Sequence, residues 1–321
     1  MPSPILRAFA CRWLCFVAVA MLLGLMGRWH WGADLFSHFV VQYALLLLLL
    51  TGLLFWHRAG HWRWAALALS LSLWGFIALS LWLPIDSADS PVAQTRLNFL
   101  QFNARQNTAV LTRWLLQHQN DETRMDVVLV LEAPVAFAVE METLAEVFPY
   151  RLAQLEDSPF GIALMSRHPL VGARILDVIG TEFPVVTAQL VLPEGRQVML
   201  FGIHPPPPVG SDLAELHTQF MDALALQIDP AVPTVVFGDF NATPWSPRLQ
   251  VFMTQTGLYD AQQGFGLSGT WPAFTARYAD FLGIPIDLTL VSNDLRIHTR
   301  RTGPDWGSDH LPVMTGASIR K

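Results

Sequence analysis

Residues 235–244 read VVFGDFNATP. Val235, Val236 and Phe237 form a short apolar run of the kind that makes a strand buried on both faces. Glycine follows, and then Asp239 and Asn241, one residue apart. On an extended segment such a pair points to the same side, so a carboxylate and an amide reach the strand end together and can converge on one phosphate or one water. The same two residues also suit an Asx-turn, because the following ATPWSP looks like a helix start.

Working outward, the pattern of a β-forming run ended by a polar residue recurs. Asn103 closes FLQFNAR, Glu132 follows VVLVL, and His204 follows LFGI. Asp287 sits in IPIDLTLVS, and Asp309–His310 in GSDHLPV. A carboxylate such as Glu132 at the end of a buried strand is costly unless it is paired or binds a cation; a solvated strand-end glutamate is the plainer alternative. Asparagine commonly closes strands, and a histidine after a strand is often only structural. The adjacent Asp309 and His310 suit a carboxylate that fixes an imidazole tautomer and raises its basicity. Carboxylates, amides and histidines without thiolates suit a hard divalent cation and metal-assisted phosphoester hydrolysis.

In this order the set resembles the endonuclease/exonuclease/phosphatase superfamily. That group includes deoxyribonuclease I-like nucleases, abasic-site endonucleases, inositol-phosphate phosphatases and sphingomyelinases. The resemblance covers roughly residues 94–321, and GDFN followed about 70 residues later by SDH is its specific pairing. It implies a four-layer α/β sandwich, two packed mixed sheets flanked by helices. It also implies Glu132 as the principal Mg²⁺ (or Mn²⁺) ligand, assisted by Asn103, with Asp309 supporting the metal or His310. Asp239 would position the attacking water and Asn241 would hold that aspartate and the phosphate. His310 would contact the scissile phosphate, His204 would stabilise the developing charge, and Asp287 would assist. Three departures stand out: Leu288 follows Asp287 where many relatives carry His or Tyr, Pro205–Pro208 replace a polar continuation, and Arg105 stands where some nucleases place an acid.

Local patterns agree with alternating strands and helices. Arg96–Phe102 and Asp126–Leu131 read as strands, and Thr108–His118, Val139–Val147 and Leu213–Ile228 as helices. Phe160–Phe201 is β-rich, with a hairpin turn at Pro193–Gly195. Thr234–Phe237, Ile286–Val291 and Pro312–Thr315 supply the remaining strands.

The chain is 52% hydrophobic and 14% charged over 321 residues, and the excess lies before residue 84. Residues 38–56 and 64–83 are each about 20 apolar residues without a charge, enough to cross a bilayer core. Trp56, Trp62, Trp64 and Trp82 lie near their ends, as in an interfacial aromatic belt. A third span is expected at about 8–27, with Arg12 snorkelling; a signal-peptide core is the other reading. The expected layout is a transmembrane region at 1–86, a linker at 87–95 and a catalytic domain at 96–321. Arg7, Arg12, Arg58 and Arg63 on one side against Arg28 on the other put the amino terminus in the cytoplasm and the catalytic domain outside a bacterial-type inner membrane. Cys11 and Cys15 both fall in the first apolar segment, so the globular part has neither disulfide nor thiolate site.

After residue 90 there are 15 Lys and Arg against 23 Asp and Glu, a net charge of about −8. A non-specific duplex binder usually carries a basic footprint; here only Arg296, Arg300 and Arg301 cluster. The expected function is a membrane-anchored, divalent-metal-dependent phosphodiesterase, nuclease-like. The alternatives are a lipid phosphodiesterase acting on head groups and a catalytically silent binding module. Retention of Glu132, His204, Asp239, Asn241, Asp309 and His310 together argues against the last.

Overall fold

A computed structural model describes residues 3–83 and 95–320; of the expected linker only Thr95 falls within them. Helices α1 (Pro4–Leu25), α3 (Val40–Trp56) and α4 (His61–Leu81) are antiparallel neighbours in chain order, with the single turn α2 (Trp31–Asp34) and a 3-10 turn at Leu35–Phe39 leading into α3. Three helical segments, Pro4–Leu25, Trp31–Trp56 and His61–Leu81, are long and apolar enough to cross a membrane. They meet through Ala10, Ala20, Ala44, Ala66 and Ser70, small residues that let helices approach closely, with Leu14, Leu47 and Ile77 filling between them. Their outer faces carry Leu22, Leu48, Leu49, Leu71 and Leu79. An outer face of exposed leucines, with small residues where the helices touch, suits lipid as the surrounding solvent. The first helix starts at Pro4 rather than residue 8, since proline is tolerated in a helix's first turn.

The rest of the chain builds two six-stranded sheets. The first has the order β11-β12-β1-β2-β4-β3, from Leu295–Thr302, Val313–Ile319, Leu97–Asn103, Val127–Leu131, Ile162–Ser166 and Tyr150–Gln154. The second has the order β5-β6-β7-β8-β10-β9, from Leu170–Asp177, Pro184–Val191, Gln197–Ile203, Thr234–Asp239, Asp287–Val291 and Tyr259–Asp260. Each sheet contains one parallel pair, β1 with β2 and β7 with β8, and is otherwise antiparallel. Parallel neighbours need a crossover. Helices α5 (Ala109–Gln117) and α7 (Ser211–Ala225) provide it; α6 (Phe137–Thr143) and α8 (Pro247–Thr256) add to the outer layers, and α9 is a single turn at Ala279–Leu282.

The inward faces of the sheets interlock through Phe99, Leu129, Leu131, Val186, Leu200 and Phe237. Phe99 and Phe237 meet edge to face at 6.0 Å. Outside this central layer, Leu111, Leu115 and Phe137 cover one sheet, and Phe220, Leu224, Leu249 and Phe252 cover the other. The result is the expected four-layer sandwich. Two expectations need correction. Helix α6 ends at Thr143 rather than Val147, and Arg300 is not part of a basic surface cluster. It is buried, donating to the Asp287 carbonyl at 3.1 Å and to Ser268.

The helical region and the sandwich share a polar seam. The Asp34 carboxylate accepts from Ser246 Oγ at 2.9 and 3.0 Å, and His38 Nδ1 lies 3.0 Å from Thr243 Oγ1. Gln42, in the first turn of α3, donates to the Phe281 and Gly283 carbonyls, while Gly264 and Gly266 donate to the Leu81 carbonyl at the end of α4. All these contacts fall at one end of the helices. Chain connectivity puts Arg7 and the Arg58–Arg63 turn at the opposite end.

Candidate active site

The site forms where the carboxyl ends of both parallel pairs meet, the usual place for ligands in α/β sheets. Asn103 is the last residue of β1 and Glu132 follows β2; His204 follows β7 and Asp239 ends β8. Packing the two sheets face to face therefore brings together four residues from four strands. With Asn241 and His310 they line a single cleft of about 850 Å³.

Close approach is obtained with glycine at two points. A Cβ at Gly238, whose φ is +145°, would sit 2.0 Å from the Ile203 carbonyl, so only glycine lets β8 run against β7 just before Asp239. A Cβ at Gly161 would sit 2.1 Å from the Ala133 carbonyl, beside Glu132. Glu132 and Asn241 both adopt left-handed backbone, with φ of +50° and +49°. Asparagine tolerates that conformation; for glutamate it stores about 1–2 kcal/mol of strain, common where geometry serves a site.

Hydrogen bonds tie the set together. Asn103 Nδ2 donates to Glu132 Oε1 at 3.0 Å and to Asp239 Oδ2 at 3.2 Å. The other Asp239 oxygen accepts from the Asn241 backbone N–H at 2.8 Å, the geometry of an Asx-turn, and both side chains still line the cleft. The helix start belongs to Ser246, whose hydroxyl accepts from Leu249. The Asn241 amide holds the Pro205 carbonyl at 3.0 Å, fixing the proline loop after His204. His204 Nδ1 faces the Pro159 carbonyl at 3.2 Å and its Nε2 lies 3.5 Å from Asp239.

His310 is buried between two aspartates. Its Nδ1 donates to Asp287 Oδ2 at 2.9 Å, and its Nε2 lies 3.7 Å from Asp239 Oδ2. Burial opposes charge on this imidazole, but Asp287 and then Asp239 outweigh it and push the pKa up to about 10. At neutral pH the ring is a cation. Burial also pushes the Asp239 carboxyl above its ordinary range, with the His310 charge opposing and Asp287 reinforcing. Asp287 and Asp239 are directly opposite each other on β10 and β8, which is why one histidine can bridge them.

Asp287 and Asp309 do not line the cleft. Asp287 lies behind His310, and the Asp309 carboxylate turns to Arg105 at 3.3 Å, the residue that departs from the nuclease pattern. The sequence also concealed three supports. Ser308 donates to the Asn103 carbonyl at 2.7 Å and accepts from the His310 N–H. Thr270 Oγ1 receives the Ile286 and Asp287 N–H groups, and Arg300 holds the Asp287 carbonyl. Serine two residues before His310 was the one available signal.

The donor chemistry fits a hard divalent ion. Glu132 is half-buried in the cleft, bonded to an amide, and among the described residues no cationic side chain pairs with it. Asp239, Asp287 and His310 also offer three ligand atoms within 4.8 Å of one another, a group able to hold a metal. An ion there would have to displace the 2.9 Å His310–Asp287 hydrogen bond.

Two mixed sheets with acids, amides and histidines gathered at their strand ends define a phosphoesterase-type α/β sandwich. The chain belongs to the Endonuclease/Exonuclease/phosphatase family, which it matches over residues 100–310. Among solved structures it is similar to an endonuclease/exonuclease/phosphatase from Beutenbergia cavernae, with 18% identity, 71% of this chain and 72% of that one covered, and a TM-score of 0.58. It is also similar to D. rerio TDP2 complexed with a single-strand DNA product, with 15% identity, coverage of 70% and 99%, and a TM-score of 0.54. An AP endonuclease from Archaeoglobus fulgidus gives 14% identity, coverage of 68% and 98%, and a TM-score of 0.53. Comparison with curated protein sequences finds no match.

Proposed function

We propose that the protein is a divalent-metal-dependent phosphodiesterase whose catalytic domain is held at a membrane surface by three spans. One observation carries this reading: Asn103, Glu132, His204, Asp239, Asn241 and His310, from both sheets, share one cleft. Glu132, assisted by Asn103, would hold Mg²⁺ or Mn²⁺, with Asp309 a further carboxylate should it leave Arg105. The bound ion supplies positive charge to the phosphate oxygens. Asp239 orients the attacking water and takes its proton, a role suited to a carboxyl pushed upward by burial. The water oxygen bonds to phosphorus, the bond to the leaving oxygen breaks, and that oxygen takes a proton from solvent water to leave as an alcohol, while Asp239 returns its proton to solvent. His310, cationic and oriented by Asp287, faces the charge that builds on the phosphoryl oxygens, and His204 Nε2 approaches the same Asp239 oxygen.

The full-length protein should hydrolyse bis-p-nitrophenyl phosphate with Mn²⁺ or Mg²⁺ and lose that activity in excess EDTA. Undiminished turnover in EDTA would refute the metal requirement. A nucleic-acid phosphodiester is the substrate suggested by the TDP2 neighbour. A lipid head group is the second reading, favoured by a largely apolar groove that shares Pro207, Asn241 and His310 with the cleft.

The catalytic domain is assigned to the extracytoplasmic side. Support comes from its contact with the end of the spans opposite Arg7, Arg12, Arg58 and Arg63. Alkaline phosphatase fused after Lys321 should be active in bacterial cells, and a fluorescent protein that matures only in the cytoplasm should stay dark. The reverse pattern would invert the topology.

A further inference from the structure

A second cavity, of about 410 Å³, opens directly off the catalytic cleft and shares Pro207, Asn241 and His310 with it. Apart from His38 its remaining walls are apolar, and they come from both parts of the chain. Leu35 and Phe39 belong to the turn entering the second span; Pro208, Val209, Trp271 and Ile286 belong to the sandwich. The groove therefore joins the reacting centre to the membrane end of the molecule.

Its level relative to a bilayer follows from Gln42. This first-turn residue of α3 holds the Phe281 and Gly283 carbonyls, so the 278–283 segment lies alongside the start of a membrane span. Tyr278, Phe281 and Leu282 are exposed there, together with Phe39, Val209 and Trp271 at the groove. Exposed apolar side chains gathered beside a span suit the membrane interface and are wasteful in water.

Resting on the phosphodiesterase reading above, we propose that the substrate is an amphiphilic phosphoester of the membrane. Its phosphate sits among Asn103, Glu132, Asp239 and His310, and its hydrocarbon tail lies in the groove between the 35–39 turn and the 207–209 loop. The reaction is the same hydrolysis: water adds across one P–O bond, giving an alcohol and a phosphoryl product, one of which retains the tail. The acidic balance of the domain fits this substrate better than a polyanion. The tail groove takes the place of a basic footprint, and the sole basic cluster expected from the sequence loses Arg300 to the interior.

The test is competitive inhibition of bis-p-nitrophenyl phosphate turnover by methyl, butyl and octyl phosphate, using the full-length protein in lipid nanodiscs with Mn²⁺. The inhibition constant should fall about 10²-fold from methyl to octyl, which about three or four buried methylenes give at roughly 4-fold each. Val209→Asp, at the groove mouth, should reduce that ratio to within about 5-fold, whereas Val251→Asp, on α8, should leave it intact. A flat series in the wild type, with turnover of the reporter ester normal, overturns the lipid substrate and leaves the phosphodiesterase reading standing. A short single-stranded oligonucleotide inhibiting more tightly than octyl phosphate overturns it in favour of nucleic acid. No turnover of the reporter ester under any metal removes both readings together.

Discussion

His310→Ala should lower turnover of any phosphodiester the protein cleaves by about 10²–10⁴-fold, the range for a positioned acid–base or electrostatic group. The size follows from its surroundings. Held between Asp287 and Asp239 and charged at neutral pH, the imidazolium shares Asp239 with one other basic side chain among the described residues, that of His204. Its removal deletes positive charge where negative charge builds, and leaves two buried carboxylates facing each other across β8 and β10. One of them would then hold a proton, and Asp239 would be a poorer base for water. Asp287→Asn should cost less, since the amide can still position the ring but no longer supports its charge. The useful readout is the ratio between these variants, with melting temperature as the check on folding. If both variants retained wild-type kcat with unaltered melting, His310 would be a structural histidine and the assigned chemistry would fall.

Why this histidine was legible in the sequence while its partner was not is a matter of distance along the chain. Strands such as Val127–Leu131 declare themselves through five continuous apolar residues, and the polar residue ending each run marks the rim of a sheet. That local signal marks Asn103, Glu132, His204 and Asp239 as strand-end residues, whereas His310 sits in the loop ahead of β12 and stands out through its place in GSDH. Pairing across sheets has no local signature. Adjacency in the sequence suits Asp309 as the support of its neighbour His310, yet the bond goes to Asp287, 23 residues away, because β10 lies opposite β8. Asp309 is drawn instead to Arg105, just past the end of β1 on the same rim of the first sheet.

The same limit explains the hidden edges. Strand β11 contains Arg296, Arg300 and Arg301, and its pattern resembles a charged surface rather than a sheet edge. Strand β3, Tyr150–Gln154, mixes polar and apolar residues because it too is an edge. The seam between helices and sandwich was equally silent. Asp34 and His38 sit in the loop entering an apolar span, and nothing local shows that Ser246 and Thr243, more than 200 residues away, complete them. The one clue was the presence of an acid and a histidine in so charge-poor a stretch, where a buried polar group requires a partner.

Glu132→Gln should produce the second large loss, and of a different kind. The glutamine can still accept from Asn103 Nδ2 and can occupy the same left-handed backbone, so the cleft keeps its shape and the melting temperature should stay near wild type. What disappears is the cleft carboxylate that Asn103 holds beside Asp239 and that no cation balances among the described residues. If that charge holds the divalent ion, affinity for Mn²⁺ weakens by more than about 10-fold, since even outer-shell changes cost that much. Turnover at a fixed metal concentration then falls by about 10²–10³-fold, the cost of losing a preorganised electrostatic contact. Raising Mn²⁺ should recover part of the rate, because the ion's remaining oxygen donors are intact. Turnover measured across a Mn²⁺ titration separates the alternatives: a variant whose half-saturating metal concentration equals that of the wild type would place the ion elsewhere. The buried Asp239–Asp287–His310 group, whose ligand atoms lie within 4.8 Å of one another, would then be the place to look.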